Sequence, residues 1–368
     1  MVPVNTPLLN GNEKKYLDEC IDTGWISSEG PFIKRFEDNM ASYVGRKYAT
    51  ACSSGTAALD IAVSVLELSQ DDEVIMPTFT IISCAQALTK QGIKPVLIDC
   101  DLKTFNMKPE DVEAKITPKT KAIMVVHIYG LTVDLDPILQ LAKKHGLKVI
   151  EDAAQMHGQD YKGKKCGSFG DISVFSFYPN KHITTGEGGM VLCDDIELDR
   201  KAKSFRNLCF GEERFIHTKL GYNYRMTNMQ AALGVAQLER IDEIVAKKRW
   251  IGTLYNELLS DIEVISLPIP RTFYCENIYW VYTIVLNDDY KKDARDIMAK
   301  LAEYKIGTRP FFYPMHQQPV FNDMGLFLDD HLPNSSKLYT KGFYIPSGLA
   351  LEKEDIQEVS KVLHKVLT

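Results

Sequence analysis

Between Tyr48 and Cys193 the chain alternates short apolar runs with helical patterns, and this alternation narrows the fold more than any other feature. The runs cover residues 48–52, 73–76, 95–98, 122–127, 148–151, 172–177 and 190–193. They are too short for buried helices and largely apolar, as strands covered on both faces are. Between them, residues 56–68, 81–91, 108–115 and 136–145 carry apolar side chains at helical spacing, and Gly146 follows the last as a C-terminal stop. Such alternation predicts an α/β fold, a mainly parallel sheet sandwiched by helices and joined by right-handed crossovers. A chain of 368 residues exceeds one small core. Residues 1–245 read as a large domain with an N-terminal arm, and residues 246–368 as a smaller α+β domain. A long amphipathic helix over 227–249, capped by Thr227 or Asn228, joins them. Beyond it, 279–286 reads as a strand with Trp280 and Tyr282 in the core, and 293–304 and 353–366 read as helices. Lys247 and Lys248 sit beside acids and read as a solvated helix face.

Ligands of open α/β sheets gather beyond the carboxyl ends of the strands, so the residues after each run are where chemistry is expected. The first run is followed by Ser53-Ser54-Gly55-Thr56, a small-residue turn opening a helix. Its free N–H groups and the helix dipole favour a phosphate; equally, Ser54 serves as an ordinary cap. The fifth run is followed by Asp152-Ala153-Ala154-Gln155. An acid at the end of a buried strand must be paired or hydrogen-bonded; it can grip a protonated ring nitrogen or cap a helix. The sixth run leads into Ser176-Phe177-Tyr178-Pro179-Asn180-Lys181 and then Thr184-Thr185-Gly186-Glu187-Gly188-Gly189. A lysine in a glycine-flanked loop at a strand end can have a lowered pKa and act as a nucleophilic amine, although most lysines simply face solvent. Each signal is modest alone. Their order, a phosphate cradle, an acid, then a serine five residues before a lysine, is specific.

On these residues the chain resembles the DegT/DnrJ/EryC1/StrS aminotransferases, a fold-type-I pyridoxal phosphate family. The likeness also takes in Thr23-Gly24-Trp25-Ile26-Ser27-Ser28, Gly30-Pro31, His127-Ile128-Tyr129-Gly130, Gly221-Tyr222-Asn223-Tyr224-Arg225-Met226-Thr227, Arg309-Pro310 and Tyr313-Pro314-Met315-His316. It implies that Lys181 is the Schiff-base lysine and general base. Asp152 would pair with the pyridine nitrogen and Gln155 with the phenolic oxygen. Ser54, Gly55, Thr56 and Ser176 would form the phosphate site. Asn223 would reach the phosphate of the other subunit, which implies a homodimer with shared active sites. Trp25, Tyr129, Arg225, Arg309, Tyr313 and His316 are candidates for the substrate. Family members usually place an aromatic over the ring after Pro-x-x-Thr; here Pro77-Thr78-Phe79-Thr80 is followed by Ile81, and Ile81 is the simpler stacking residue. Relatives with histidine for the lysine act as dehydratases or deoxygenases. Lys181 aligns and His182 only packs or faces solvent, so aminotransfer is expected.

The likeness is greatest to members that move an amino group from L-glutamate, released as 2-oxoglutarate, to C4 of a GDP-linked 4-keto-6-deoxyhexose. A UDP- or dTDP-linked keto sugar, aminated at C3 or C4, is the enzymatic alternative. A non-catalytic regulator on the same scaffold is the alternative of another class, one that need not keep Lys181, Asp152 and Ser176 together. The rest of the sequence supplies exclusions. A net charge of −6 argues against nucleic acid. No apolar run has bilayer length, and residues 1–13 lack a signal-peptide h-region. The eight cysteines are scattered without CxxC pairs, which suggests buried thiols in the cytoplasm and no zinc site.

Overall fold

The computed structural model describes residues 1–213 and 215–367. The apolar runs become β1 (Tyr48–Cys52), β2 (Glu73–Pro77), β3 (Lys94–Ile98), β4 (Thr120–Val126) and β5 (Lys148–Asp152). A small ribbon of β6 (Asp160–Tyr161) and β7 (Lys164–Lys165) follows, then β8 (Ile172–Ser176) and β9 (Gly189–Cys193). Apart from the ribbon, these form one seven-stranded sheet in the order β1-β9-β8-β5-β4-β2-β3. Pairs from β3 to β8 are parallel, whereas β9 is antiparallel to both β1 and β8. The exception has a simple cause. The β8–β9 connection contains no helix, and without a crossover the chain can only turn back along its neighbour.

Successive residues of the strands point to opposite faces. Ile123 and Val125 join one core with Phe36, Phe175 and Phe177. Ala122, Met124 and Val126 join another with Ala58, Ile61 and Val174. Helices cover both faces. The stretch expected as an arm folds as α1 (Glu13–Thr23) and α2 (Pro31–Val44). After β1, β2, β3 and β4 come α3 (Gly55–Val65), α4 (Ser83–Thr89), α5 (Pro109–Ala114) and α6 (Leu135–His145), and α7 (Ile196–Arg206) follows β9.

The single helix expected over 227–249 is two, α8 (Asn228–Leu238) and α9 (Ile241–Leu259). Thr227 opens α8 through a capping box with Gln230. At the break, Glu239 accepts hydrogen bonds from Asn12, Tyr16 and Arg35, and Arg240 leaves helical geometry at φ −120°. Amphipathic periodicity runs unbroken through this point; the interruption comes from anchoring to the N-terminal segment.

A second, antiparallel sheet contains β10 (Ile265–Ser266), β11 (Tyr282–Leu286), β12 (Arg309–Pro310) and β13 (Gly342–Ile345), in the order β10-β11-β13-β12. The helices Ala294–Glu303 and Lys353–Leu367 pack Ile297, Leu301, Ile356 and Leu363 into its core. β11 starts three residues later than expected, because Tyr279 takes a left-handed φ of 48° and ends extended pairing there. Lys248 is also misplaced by sequence reasoning. It lies inside the protein, 3% exposed, with Nζ donating to the carbonyls of Trp280 (2.9 Å) and Ser347 (2.5 Å). Burial without a carboxylate partner pushes its pKa down to about 7. All eight cysteines are buried free thiols. Among the described residues, no helix is long and apolar enough to cross a membrane.

The Thr227 cap closes α8 at the junction with the Lys181-side loop, since Gln230 also donates to the Glu187 carbonyl. Thr227→Ala should lower unfolding stability by about 1 kcal/mol, read as a shifted denaturant midpoint. An unchanged midpoint would show that the cap contributes nothing.

Candidate active site

A cleft of about 450 Å³ opens at the carboxyl ends of β1, β5 and β8. Its walls contain Ser54, Gly55 and Thr56 from the start of α3, Asp152 and Gln155 after β5, Ser176 and Lys181 after β8, and Ile81. These eight predicted residues, far apart in sequence, therefore face one space.

The cradle rests on missing side chains. A Cβ on Gly55 would lie 2.6 Å from Cβ of Ser176, and one on Gly189 would collide with the Ser54 carbonyl. The β8–β9 loop thus presses directly on the turn that opens α3. Ser54 is the helix cap, its Oγ accepting from the Ala57 N–H at 3.1 Å. Thr56 Oγ1 meets Ser83 Oγ at 2.8 Å. The N–H groups at the head of α3 are what remain for an anion.

Gln155 is oriented by an unusual backbone. Tyr129 sits at φ 56°, which turns its N–H onto Gln155 Oε1 at 2.6 Å. With the amide oxygen engaged, the amide nitrogen is the end available to donate to a ligand. Asp152, 3% exposed, accepts at Oδ1 from the Ala154 N–H (2.9 Å). Burial raises its pKa, opposed by the Ala154 N–H, the Cys84 thiol and Lys181. Lys181 Nζ lies 4.0 Å from the centre of the Trp280 ring. Burial lowers its pKa to about 8, with Asp152 pulling the other way. An amine poised near neutrality beside a buried carboxylate can act as nucleophile and base.

Of the two stacking candidates, only Ile81 reaches the cleft. It is 47% exposed and lines the cleft, while Phe79 is fully buried among Phe105, Tyr129, Phe311 and Phe312. His182 is buried and packs near His157, and burial lowers its pKa.

The other candidates scatter. Tyr129 is buried behind the cleft and its hydroxyl accepts from the Phe312 N–H. His316 is buried, with Nδ1 2.9 Å from Thr78 Oγ1 and Nε2 3.4 Å from Ser336 Oγ; the protein holds both ring nitrogens and the residue is not on the cleft wall. Tyr313 packs edge-on against Tyr339. Arg309 is exposed on β12, bonded to the Thr308 carbonyl. Trp25 and Asn223 are exposed. Arg225 bonds Asn207 and lines a separate, larger hollow of about 740 Å³ with Ser28, Glu29 and Phe210. That hollow holds neither Lys181 nor Asp152, so size does not mark the reactive space.

Trp280 was expected in the core. It is 4% exposed, yet it forms a cleft wall and its Nε1 donates to the Asn180 carbonyl at 2.8 Å. Phe312 and Tyr344 also line the cleft. No motif marks them; only the kink at Tyr279 could have signalled that the run before β11 is not a strand. A further cluster, His127, Glu151 and Cys166, brings three potential metal-binding atoms within 4.8 Å of one another. His127 Nδ1 accepts from Val133 N–H, and Glu151 bonds His127 Nε2 and accepts from the Gly167 and Phe169 N–H groups. His127 and Glu151 are thus engaged with each other and with backbone N–H groups of the loops beyond β4 and β7.

The sequence profile of the DegT/DnrJ/EryC1/StrS aminotransferase family matches residues 7–364. The chain is 40% identical to the GDP-perosamine synthase of Vibrio cholerae, over 98% of this chain and 97% of that one. It is 41% identical to the GDP-perosamine synthase of Caulobacter vibrioides, over 100% and 98%. Among solved structures it is similar to Helicobacter pylori PseC, an aminotransferase involved in the biosynthesis of pseudoaminic acid. That likeness has a TM-score of 0.94 and 26% identity, covering 100% of this chain and 99% of the other.

The electrostatics of Lys181 can be read in the ligand-free chain. Labelling of Lys181 by a small amine-directed reagent, followed by peptide mass spectrometry, should rise with a midpoint near pH 8, because only the unprotonated amine reacts. Asp152→Asn removes the charge that supports the ammonium, so the midpoint should fall. A wild-type midpoint near 10.5, the ordinary lysine value, would contradict the described environment.

Proposed function

The chain belongs to the DegT/DnrJ/EryC1/StrS aminotransferase family, and on that footing we propose that it makes GDP-perosamine. It would transfer the amino group of L-glutamate to C4 of GDP-4-keto-6-deoxymannose with pyridoxal 5′-phosphate as cofactor. The observation that carries this reading is the full-length likeness, at 40–41% identity, to proteins named GDP-perosamine synthase.

The cleft fits the cofactor. Gly55 and Thr56 N–H groups with Ser176 Oγ form an anion cradle at the head of α3 for its phosphate, with Ser54 fixing the turn. Gln155 offers an amide N–H where a phenolic oxygen is needed, Asp152 a buried carboxylate for a ring nitrogen, and Ile81 an aliphatic face. Bound there, pyridoxal phosphate supplies an aldehyde that holds amines covalently and a ring that accepts electrons. Asp152 would hold the ring nitrogen's proton in place. Lys181 would hold the cofactor through Nζ. With a substrate bound, that Nζ would take the α-proton of glutamate in one half of the cycle and deliver a proton to C4 of the sugar in the other. Glutamate leaves as 2-oxoglutarate and the keto sugar leaves as the amino sugar, so one active site alternates between two substrates. Trp280 and Ile81 would supply apolar walls around this space.

Asn223 is exposed on the segment whose Tyr224 carbonyl accepts from Ser53 N–H, and it would reach the phosphate site of a partner subunit in a homodimer. Arg225 and Trp25, on the same side, would meet the sugar nucleotide there. Residues 1–245 and 246–368 would act as cofactor-binding and smaller domains. The enzyme would work in the cytoplasm, supplying perosamine to a surface polysaccharide such as O-antigen.

Purified protein mixed with pyridoxal phosphate should show the visible absorption of the lysine-bound cofactor, and Lys181→Ala should lose it. With glutamate and GDP-4-keto-6-deoxymannose it should yield a 4-amino sugar nucleotide, identified by mass and stereochemical analysis. Turnover only of a UDP- or dTDP-linked keto sugar would displace the GDP assignment. A bound cofactor with no conversion of glutamate by any keto sugar would point instead to a regulator.

A further inference from the structure

Asp152 is gripped from two sides, and only one of them belongs to the sequence motif. Oδ1 accepts from Ala154 N–H, in the motif itself. Oδ2 faces the thiol of Cys84, with Sγ 3.3 Å away. Cys84 lies in the first turn of α4, fully buried, and its sulfur is 3.6 Å from Oγ1 of Thr80. An ionised carboxylate only accepts hydrogen bonds, so the thiol must be the donor, leaving the Thr80 hydroxyl to donate to sulfur. Burial and the Asp152 charge hold the Cys84 thiol protonated by raising its pKa well above the ordinary value.

We propose that Thr80, Cys84 and Asp152 form a donor relay beneath the cleft, in which Cys84 is a positioning residue that fixes the Asp152 carboxylate toward its ligand. The inference rests on the reading of Asp152 as the partner of a ring nitrogen. The thiol suits the task because it is a weak donor. It orients Oδ2 yet leaves most of the negative charge there for the ligand's N–H. The other titratable groups near the carboxylate are Lys181 and, behind the strand, His127, whose ring is engaged by Glu151. A backbone N–H on one oxygen and a thiol on the other leave the carboxylate little freedom to rotate.

Two arms test the relay. Infrared spectra of the full chain, taken without cofactor, read the S–H stretch. The wild-type minus Cys84→Ser difference should isolate one band at lower frequency than the other thiols, and Asp152→Ala should return that band to the free position. A Cys84 band already at the free position, or one indifferent to Asp152→Ala, overturns the relay. The kinetic arm compares Cys84→Ser, which keeps a donor, with Cys84→Val, which keeps an apolar volume. The relay predicts that Val lowers kcat about tenfold, the scale of one lost hydrogen bond to a charged group, with KM for glutamate nearly unchanged, and that Ser retains most of kcat. A purely packing role predicts the opposite order, and that order would refute the proposal. Because the infrared arm needs no cofactor, a chain that shows the shifted band but takes up no pyridoxal phosphate would refute the cofactor reading, and with it the positioning role, while leaving the Cys84–Asp152 hydrogen bond standing.

Discussion

The cleft depends on a backbone contact with no room for a side chain. Gly189 lies against the carbonyl of Ser54, and Gly55 lies under Ser176. Because the β8–β9 connection has no helix, β9 turns back beside β8 and inserts between it and β1. That insertion carries the Lys181 loop over the head of α3 and faces it toward the end of β5. Were either glycine given a Cβ, the loop would have to lift away from the cradle. The catalytic geometry is therefore a consequence of sheet order, enforced by two absent methyl groups.

Burial does the electrostatic work inside that frame. The same desolvation that lowers the Lys181 pKa raises that of Asp152, since each disfavours the charged form. Their mutual attraction opposes both shifts. The result is an amine near its titration point next to a buried carboxylate. Lys248 shows what happens when the attraction is missing. With only carbonyls to bond, its pKa falls to about 7.

Much of this was legible in the sequence because strands buried on both faces leave a plain apolar signature. All seven runs became strands within about two residues of their expected bounds. Ser54, Asp152, Ser176 and Lys181 share one cleft, and their shared location was readable because ligand sites of such sheets lie at strand ends. What escaped was set by tertiary contact. The break at Glu239 depends on Asn12, Tyr16 and Arg35, more than two hundred residues away. Trp280 reaches the cleft because a left-handed tyrosine delays the strand. Cys84 touches Asp152 across a helix–sheet interface, where periodicity reports only that a residue is inside. The helices α1 and α2 pack onto α8, a role that lies in contacts rather than motifs.

The ammonium of Lys248 joins three stretches of chain that have no neighbours in sequence: α9, the turn at Trp280 and the segment at Ser347. Two of them belong to the second sheet, and one of those supplies the indole that faces Lys181. A chimera whose boundary falls between residues 248 and 347 would seat one parent's cleft wall on the other parent's helix, so recombination boundaries should keep residues 248, 280 and 347 from one parent.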